Sequence, residues 1–352
     1  MNNQKVELLS PAGNLEKLKI AIKYGADAVY AGVSHFSLRI RAGKEFTFET
    51  FKEGIDYAHA RGKKVYATIN GFPFNSQIEL LKKHIATMAA LEPDGFIVAA
   101  PGVVKLCREI APQIDIHLST QANVLNYLDA QVFWDMGVKR IVVAREISLK
   151  DVVEIKKHLP DMEIEIFVHG SMCFAYSGRC LVSAVQMGRV PNRGSCANDC
   201  RFEYTLYAAN EDHSTLFRLE EEPGVGTYIF NSKDMNLASH IKEILDSGAV
   251  DSLKIEGRTK SPYYAAVTAK AYRNAIDDYY SGNFESSKYQ KELYTTKNRG
   301  FTDAYLIHRP FEKTDSQNHD YALSKGSYEV TGLVTEDEEH FLCKYKVYPN
   351  ED

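Results

Sequence analysis

Four of the chain's six cysteines lie between residues 173 and 200. Cys173, Cys180, Cys196 and Cys200 are separated by six, fifteen and three residues. Loop formers fill the gaps, among them Ser177-Gly178, Gly188 and Pro191-Asn192. Such a backbone turns freely and puts few side chains in the way of four thiols meeting. Thiolates are soft donors, and four of them suit either a structural Zn2+ or an iron–sulfur cluster. The spacing matches neither a CxxC…CxxC ribbon nor a ferredoxin run, so the pattern leaves the metal open. Reduced cysteines in a packed loop are the plainer alternative. Free cysteines usually sit among apolar residues, however, and these sit among Gly, Ser and Arg. Cys107, at core spacing with Val104 and Ile110, and Cys343, in a C-terminal hairpin pattern, read as small buried hydrophobes.

A cysteine nucleophile is the competing chemistry. His169 stands four residues before Cys173, and a Cys–His pair can serve as nucleophile and base. No Asn or Asp is evidently set to orient that histidine. GxSxG and HExxH are both absent, which removes the signatures of a serine nucleophile elbow and of a zinc-protease helix.

A strand-then-helix rhythm over the first 280 residues must position these groups. Apolar strand-like runs fall at 6–13, 26–33, 64–71, 95–100, 115–123, 140–148, 163–170 and 251–257. Helical spacing falls at 15–25, 48–62, 77–91, 102–111, 126–136, 149–158, 235–248 and 262–280, with Gly25, Gly62, Gly137 and Gly248 at helix stops. Eight strands each with a helix nearby make an α/β chain, a (β/α)8 TIM-like barrel. The runs show no strict alternation, as expected of a parallel sheet buried on both faces. An open doubly wound sheet is the rival, but SPAGN after the first strand is not GxGxxG.

Residues 170–232 break the rhythm after strand seven. This insertion is far longer than an ordinary strand-to-helix loop. It carries the cysteines and two further strand-like stretches, FEYTLYAAN and GTYIFNSKD. It belongs on the C-terminal face, where barrel sites form. The barrel with its insertion spans 1–280. A polar helix and loop extension follows over 281–326. Residues 327–352 alternate around an acidic turn, reading as a hairpin that begins a small, incomplete β module.

Bulk properties narrow the partners. The net charge is -5, so any nucleic-acid contact rests on local basic patches. The N-terminus lacks the apolar core of a secretory leader. No stretch of about 18 apolar residues is present. A cytoplasmic protein without a membrane span is the expectation, and in a reducing compartment clustered cysteines bind metal or do redox chemistry.

A barrel would gather the polar residues at its strand ends. These are Arg39 and Arg41 after strand two, Asn70 after strand three, and Gln121 and Asn123 after strand five. Arg145 follows strand six, His169 ends strand seven, and Lys254, Glu256 and Arg258 come with strand eight. Arg, Lys and amide groups together suit an anionic or carboxylate-bearing small metabolite. His169 and Glu256 are the acid–base candidates.

The motifs HGSMCFAYSGRC, NRGSCANDCR, FNSKD and SLKIEGRTKSPYYAA occur in order, with SPAG, GADAVYAG and STQAN before them. Together they resemble the collagenase-like peptidase family U-32, over about residues 5 to 280. The resemblance implies one of two activities. Some members are linked to collagen degradation. Others take part in oxygen-independent hydroxylation, and this chain is most similar to the branch that makes 5-hydroxyuridine at the tRNA wobble position. That branch implies a [4Fe–4S] cluster on Cys173, Cys180, Cys196 and Cys200, prephenate as co-substrate, and the tRNA anticodon loop as partner. Some relatives carry a cysteine just after SKD-x, where this chain has Asn236, so the fourth ligand is the one the family pattern leaves open. The alternatives are a collagen-degrading metal-dependent peptidase and a Zn2+-binding accessory protein.

Overall fold

The computed structural model describes residues 5–33, 36–38, 46–193, 195–209, 216–219, 230–310, 313–318, 323–324, 326, 328, 332–334 and 341–343. Seven strands lead: β1 (Glu7–Pro11), β2 (Ala28–Ala31), β3 (Lys64–Ile69), β4 (Gly95–Val98), β5 (Asp115–Leu118), β6 (Arg140–Val142) and β7 (Glu163–Ser171). Between them run α1 (Leu15–Lys23), α2 (Phe48–His59), α3 (Ile78–Ala89), α4 (Pro101–Ile110), α5 (Tyr127–Asp135) and α6 (Leu149–His158). The insertion holds α7 (Val182–Met187), β8 (Leu206–Ala209) and β9 (Leu216–Leu219). After it come β10 (Asp234–Asn236), α8 (Ile241–Asp246), β11 (Ser252–Ile255), α9 (Pro262–Ser281), α10 (Ser286–Leu293) and β12 (Phe301–Thr302).

Strands β1 to β7 pair in chain order, all parallel. β11 then pairs in parallel with both β7 and β1, which closes an eight-stranded (β/α)8 barrel. The local signals are ordinary ones. Asn14 caps α1 by accepting from Lys17 N at 3.0 Å, and Ser261 caps α9 with Pro262 at its first position. Gly13 in SPAG is required for space, because a Cβ there would lie 2.1 Å from the Arg258 carbonyl oxygen. No helix of the described residues is long and apolar enough to cross a membrane.

The outer strand faces are apolar and pack on the helices: Leu8, Val29, Val65, Phe96, Ile116, Ile141, Ile164 and Leu253 all belong to the main core. Each such side chain contributes roughly 1.5–3 kcal/mol by burial. The lumen differs from the expectation of two apolar faces. Leu9, Ala28, Tyr30, Tyr66 and Ile97 form a small inner cluster. Beside them, β7 alternates Glu163, Glu165 and Phe167 inward against Ile164 and Ile166 outward. Arg140 donates to Glu7 at 2.5 Å, to Glu163 at 2.7 Å and to Glu165 at 3.1 Å. Lys254 donates to the other Glu165 oxygen at 2.6 Å. The inner face therefore carries a chain of paired charges.

Three segments depart from the sequence expectation. Residues 235–248 are not one helix: Met235 lies in β10, which runs antiparallel to β7, and the helix begins only at Ile241. The His169 carbonyl accepts from Glu256 N on the β11 side, and the Val168 carbonyl from Leu237 N. Successive carbonyls face opposite strand edges, so β10 occupies the edge of β7 that β6 leaves open. Strand five stops at Leu118, and Thr120–Ala122 form a 3-10 turn. In the insertion, FEYTLYAAN does supply β8, which pairs with Leu216–Leu219, a strand the sequence reading did not mark; the residues of GTYIFNSKD before Phe230 lie outside the described residues. Gly332–Val334 and Phe341–Cys343 pair as a short antiparallel hairpin.

Glu165 is fully buried between Arg140 and Lys254. Glu165→Leu strands the Lys254 charge and is expected to cost about 3–5 kcal/mol by urea unfolding, while Glu165→Leu with Lys254→Met recovers part of that loss because no buried charge is then left unpaired.

Candidate active site

At the C-terminal ends of the strands lies a cavity of about 170 Å³. Its lower lining is the last inward layer of the barrel: Tyr30, Thr68, Ile97, Phe167 and Lys254. Asn70, Gln121, Arg145, Glu256 and Arg258 form its walls, and the cysteine insertion lies across the top. A cavity of about 150 Å³ accepts one benzene ring, so this one suits a single-ring ligand or a single base.

Three anchors hold the insertion over the mouth. Ser177 N donates to Glu146 Oε1 at 2.8 Å, and Arg145 N donates to Ser177 Oγ at 3.2 Å. Gly178, at φ +71°, packs so closely that a Cβ would lie 2.7 Å from Gln121 Cα and O. Phe72 N reaches the Asn192 carbonyl at 3.4 Å. The lid is thus tied to the loops after β3, β5 and β6.

The cations are held and aimed. Lys254 sits against the rings of Tyr30, at 4.5 Å, and Phe167, at 5.6 Å. Arg145 lies over Phe167 at 4.1 Å and pairs with Glu256 at 3.5 Å. Arg258 donates to Ser37 Oγ at 2.7 Å, to Thr68 Oγ1 at 3.1 Å and to the Leu38 carbonyl. It thereby pins the segment after β2 to β3. Gln121 Nε2 is buried in the wall without a hydrogen-bond partner among the described residues.

The sequence expectations divide accordingly. Asn70, Gln121, Arg145, Lys254, Glu256 and Arg258 meet at one cavity with all four cysteines. His169 does not line it. Its ring is buried among Tyr264, Tyr272 and Phe301, with Nδ1 3.4 Å from the Tyr272 hydroxyl. Burial pushes His169 down to about 3, so the ring is neutral near pH 7. Asn123 is the left-handed cap of the 3-10 turn and does not line the cavity. Arg39 and Arg41 lie outside the described residues. Cys107 is fully buried, with its thiol pushed up to about 12 by desolvation.

The cysteine donors fit a metal centre in kind. Cys173, Cys180, Cys196 and Cys200 line the same cavity and none is in a disulfide. Burial raises the Cys180 and Cys200 thiols above the usual cysteine range, and in both cases the neighbouring cysteines raise them further. The thiols therefore stand within electrostatic reach of one another. Among the described residues no three His, Cys, Asp or Glu side chains are gathered tightly enough to share an ion. Four thiols around one cavity are the donor set of an iron–sulfur cluster or Zn2+, and binding either requires the loop to draw its thiols together.

Sequence reading missed a buried ion pair behind the lid. Asp234 and Arg299 are both nearly inaccessible and bonded to each other, and Arg299 Nε also donates to the Ser232 carbonyl at 2.8 Å. The Arg299 guanidinium lies within the field of Cys173 and Cys200, although desolvation dominates and lowers it. The signal was the FNSKD motif; its partner lies 65 residues away.

A (β/α)8 barrel with a four-cysteine lid over a cationic cavity defines the class of this protein. The model of "Peptidase family U32" matches residues 13–316. A "tRNA hydroxylation protein P" of Helicobacter pylori strain J99 is 69% identical over 346 residues, covering 98% of this chain and 82% of the relative. The Escherichia coli K12 protein of the same name is 41% identical over 357 residues, covering 91% and 78%. A "Collagenase" of Porphyromonas gingivalis strain W83 is 31% identical over 320 residues, covering 87% and 75%. The chain belongs to peptidase family U32.

His169 and His117 are both buried and held below the ordinary histidine range by desolvation. Above about pH 6.5 both are neutral folded or unfolded, and neither affects stability. As pH falls from about 6.5 towards 3 the unfolded chain takes up a proton that folded His169 refuses, so stability drops by about 1.4 kcal/mol per pH unit through His169, and His117 acts in the same direction. His169→Gln is expected to flatten the difference between urea midpoints at pH 7 and pH 5; an unchanged slope would place the titrating group elsewhere.

Proposed function

We propose that this chain is an RNA-modifying hydroxylase that acts on a tRNA uridine in the anticodon loop, forming 5-hydroxyuridine at the wobble position. The observation that carries this reading is the joining of four cysteines and a cationic, amide-rich lining at one cavity of single-ring size. The relatives named for tRNA hydroxylation, one of them 69% identical, support the substrate class.

Cys173, Cys180, Cys196 and Cys200 would hold a [4Fe–4S] cluster, which when bound supplies one-electron redox chemistry. Exchanging a C5 hydrogen of uridine for a hydroxyl removes two electrons from the base, so the reaction needs an oxygen source and a final electron acceptor besides the cluster, which would only relay electrons singly. Prephenate is the proposed co-substrate. Lys254 and Arg145 would meet its carboxylates, which are suited to charge-assisted hydrogen bonds, and Gln121 Nε2 and Asn70 supply neutral donors. Glu256, 3.5 Å from Arg145, is the one carboxylate among the described lining residues and would move a proton there. His169 orders the end of β7 behind the site. The RNA base would be turned out of its stack to enter, and the lid would exclude water around it. The reading places the protein in the cytoplasm, with its tRNA.

Proteolysis is the second reading, favoured by the collagenase relative. It has less support at the site. His169 is neutral, buried and outside the cavity, and among the described residues no histidine is hydrogen-bonded to a cysteine thiol.

Anaerobic purification beside Cys173→Ala tests the reading. Iron and sulfide with a broad visible band, lost in the variant, are expected, together with loss of 5-hydroxyuridine from the tRNA of a deletion strain. Stoichiometric zinc without colour would shift the centre to a structural role. Collagen cleavage that survives purification and disappears in Glu256→Ala would favour the peptidase.

A further inference from the structure

Residues 171–209 hold Arg179, Arg189, Arg193 and Arg201 against Asp199 and Glu203, a surplus of two positive charges in a chain of net charge -5. The same stretch exposes large apolar side chains. Phe174 and Tyr176 are each 47% exposed, and both line the cavity mouth. Apolar surface left in water forgoes roughly 25 cal/mol per Å², so folding alone does not explain rings in this position.

Their placement is well defined. The inner side of Phe174 rests on Phe230, with ring centroids 4.6 Å apart. Tyr176 and Arg179 stand at the two ends of one tight turn, closed by Arg179 N donating to the Tyr176 carbonyl at 2.9 Å. The two residues between them, Ser177 and Gly178, are the ones anchored to the barrel loops. The turn therefore presents a ring and a guanidinium outward from a fixed base. Arg189, on the same insertion, has a half-buried side chain whose buried Nε has no hydrogen-bond partner among the described residues.

We propose that Phe174 and Tyr176 form a stacking platform for the unpaired bases that flank the target nucleotide, with Arg179 and Arg189 on the adjoining phosphates. This rests on the RNA-modifying reading above. The cavity holds about one ring, so only the target base enters and its neighbours are left unstacked at the rim. Aromatic side chains replace that stacking whatever the base, and arginine pairs with phosphate. The local positive surplus favours a polyanion over a neutral apolar partner.

The test is binding of a labelled anticodon stem–loop RNA to the full chain, purified anaerobically, across a salt series. The Phe174→Ala, Tyr176→Ala double variant should bind roughly 10–100-fold more weakly. Tyr176→Phe should bind as the unaltered chain does, because it keeps the ring. Arg179→Ala should reduce the slope of log affinity against log salt by about one. Circular dichroism and iron content should match across variants, and Tyr24→Ala, at the exposed C-cap of α1, should change nothing. Wild-type binding with no loss in the double variant overturns the platform alone. Loss of self-association in sedimentation, with RNA affinity unchanged, also overturns it and makes the patch a contact between copies. A wild-type chain that does not bind the stem–loop overturns the RNA-modifying reading itself.

Discussion

Paired charge inside the barrel is the constraint on which the site depends. Glu7, Arg140, Glu165 and Lys254 come from β1, β6, β7 and β11, and run as one chain of ion pairs up the lumen. A charge in such a place is tolerated only when paired and hydrogen-bonded. Each member therefore fixes the inward register of its strand, since a slip of one residue would turn a charge outward into the apolar layer. The top member is Lys254, whose ammonium reaches the cavity between Tyr30 and Phe167. The same pairing that specifies the barrel delivers a positive charge to the floor of the site.

The upper part of the site is built differently. Its residues come from loops, which tolerate irregular backbone, and hydrogen bonds and close contacts to neighbouring loops hold them. Arg258 ties the segment after β2 to β3 through Ser37, Thr68 and the Leu38 carbonyl. Ser177 and Gly178 tie the lid to the loops after β6 and β5. A lid with a few polar anchors can shift its thiols by small amounts without unfolding the barrel below. That freedom matters if four cysteines are to close on a metal centre.

What was legible in the sequence follows from the range of each signal. The strand and helix rhythm is local, and glycine stops mark it, so the barrel could be read from spacing. The cysteines and strand-end cations were legible by residue type, and ten of the residues read that way meet at one cavity. His169 was read as a mouth residue because it ends a strand. The register shift between Lys254 and Ile255, and the pairing of Asn236 with His169, cover it instead. β10 is only three residues long and was absorbed into the helix that follows it. The inward glutamates of β7 looked like ordinary strand polarity, because nothing near them in sequence announces Arg140 or Lys254. Asp234 and Arg299 escaped for the same reason: a pair separated by 65 residues leaves no local pattern.

Charge poses the harder question for an acidic chain proposed to grip RNA. Binding by phosphate neutralisation alone is strongly salt-dependent and needs many cations. The balance turns positive at the lid, where four arginines face two acids, while the lumen cations are already paired with glutamates. Stacking on Phe174 and Tyr176 does not depend on net charge, and only a single unstacked strand can use it. An acidic surface then disfavours duplex RNA in general, while the rim rewards a loop whose bases are free to turn out. Selection for an unpaired loop would arise from poor attraction elsewhere as much as from contact at the site.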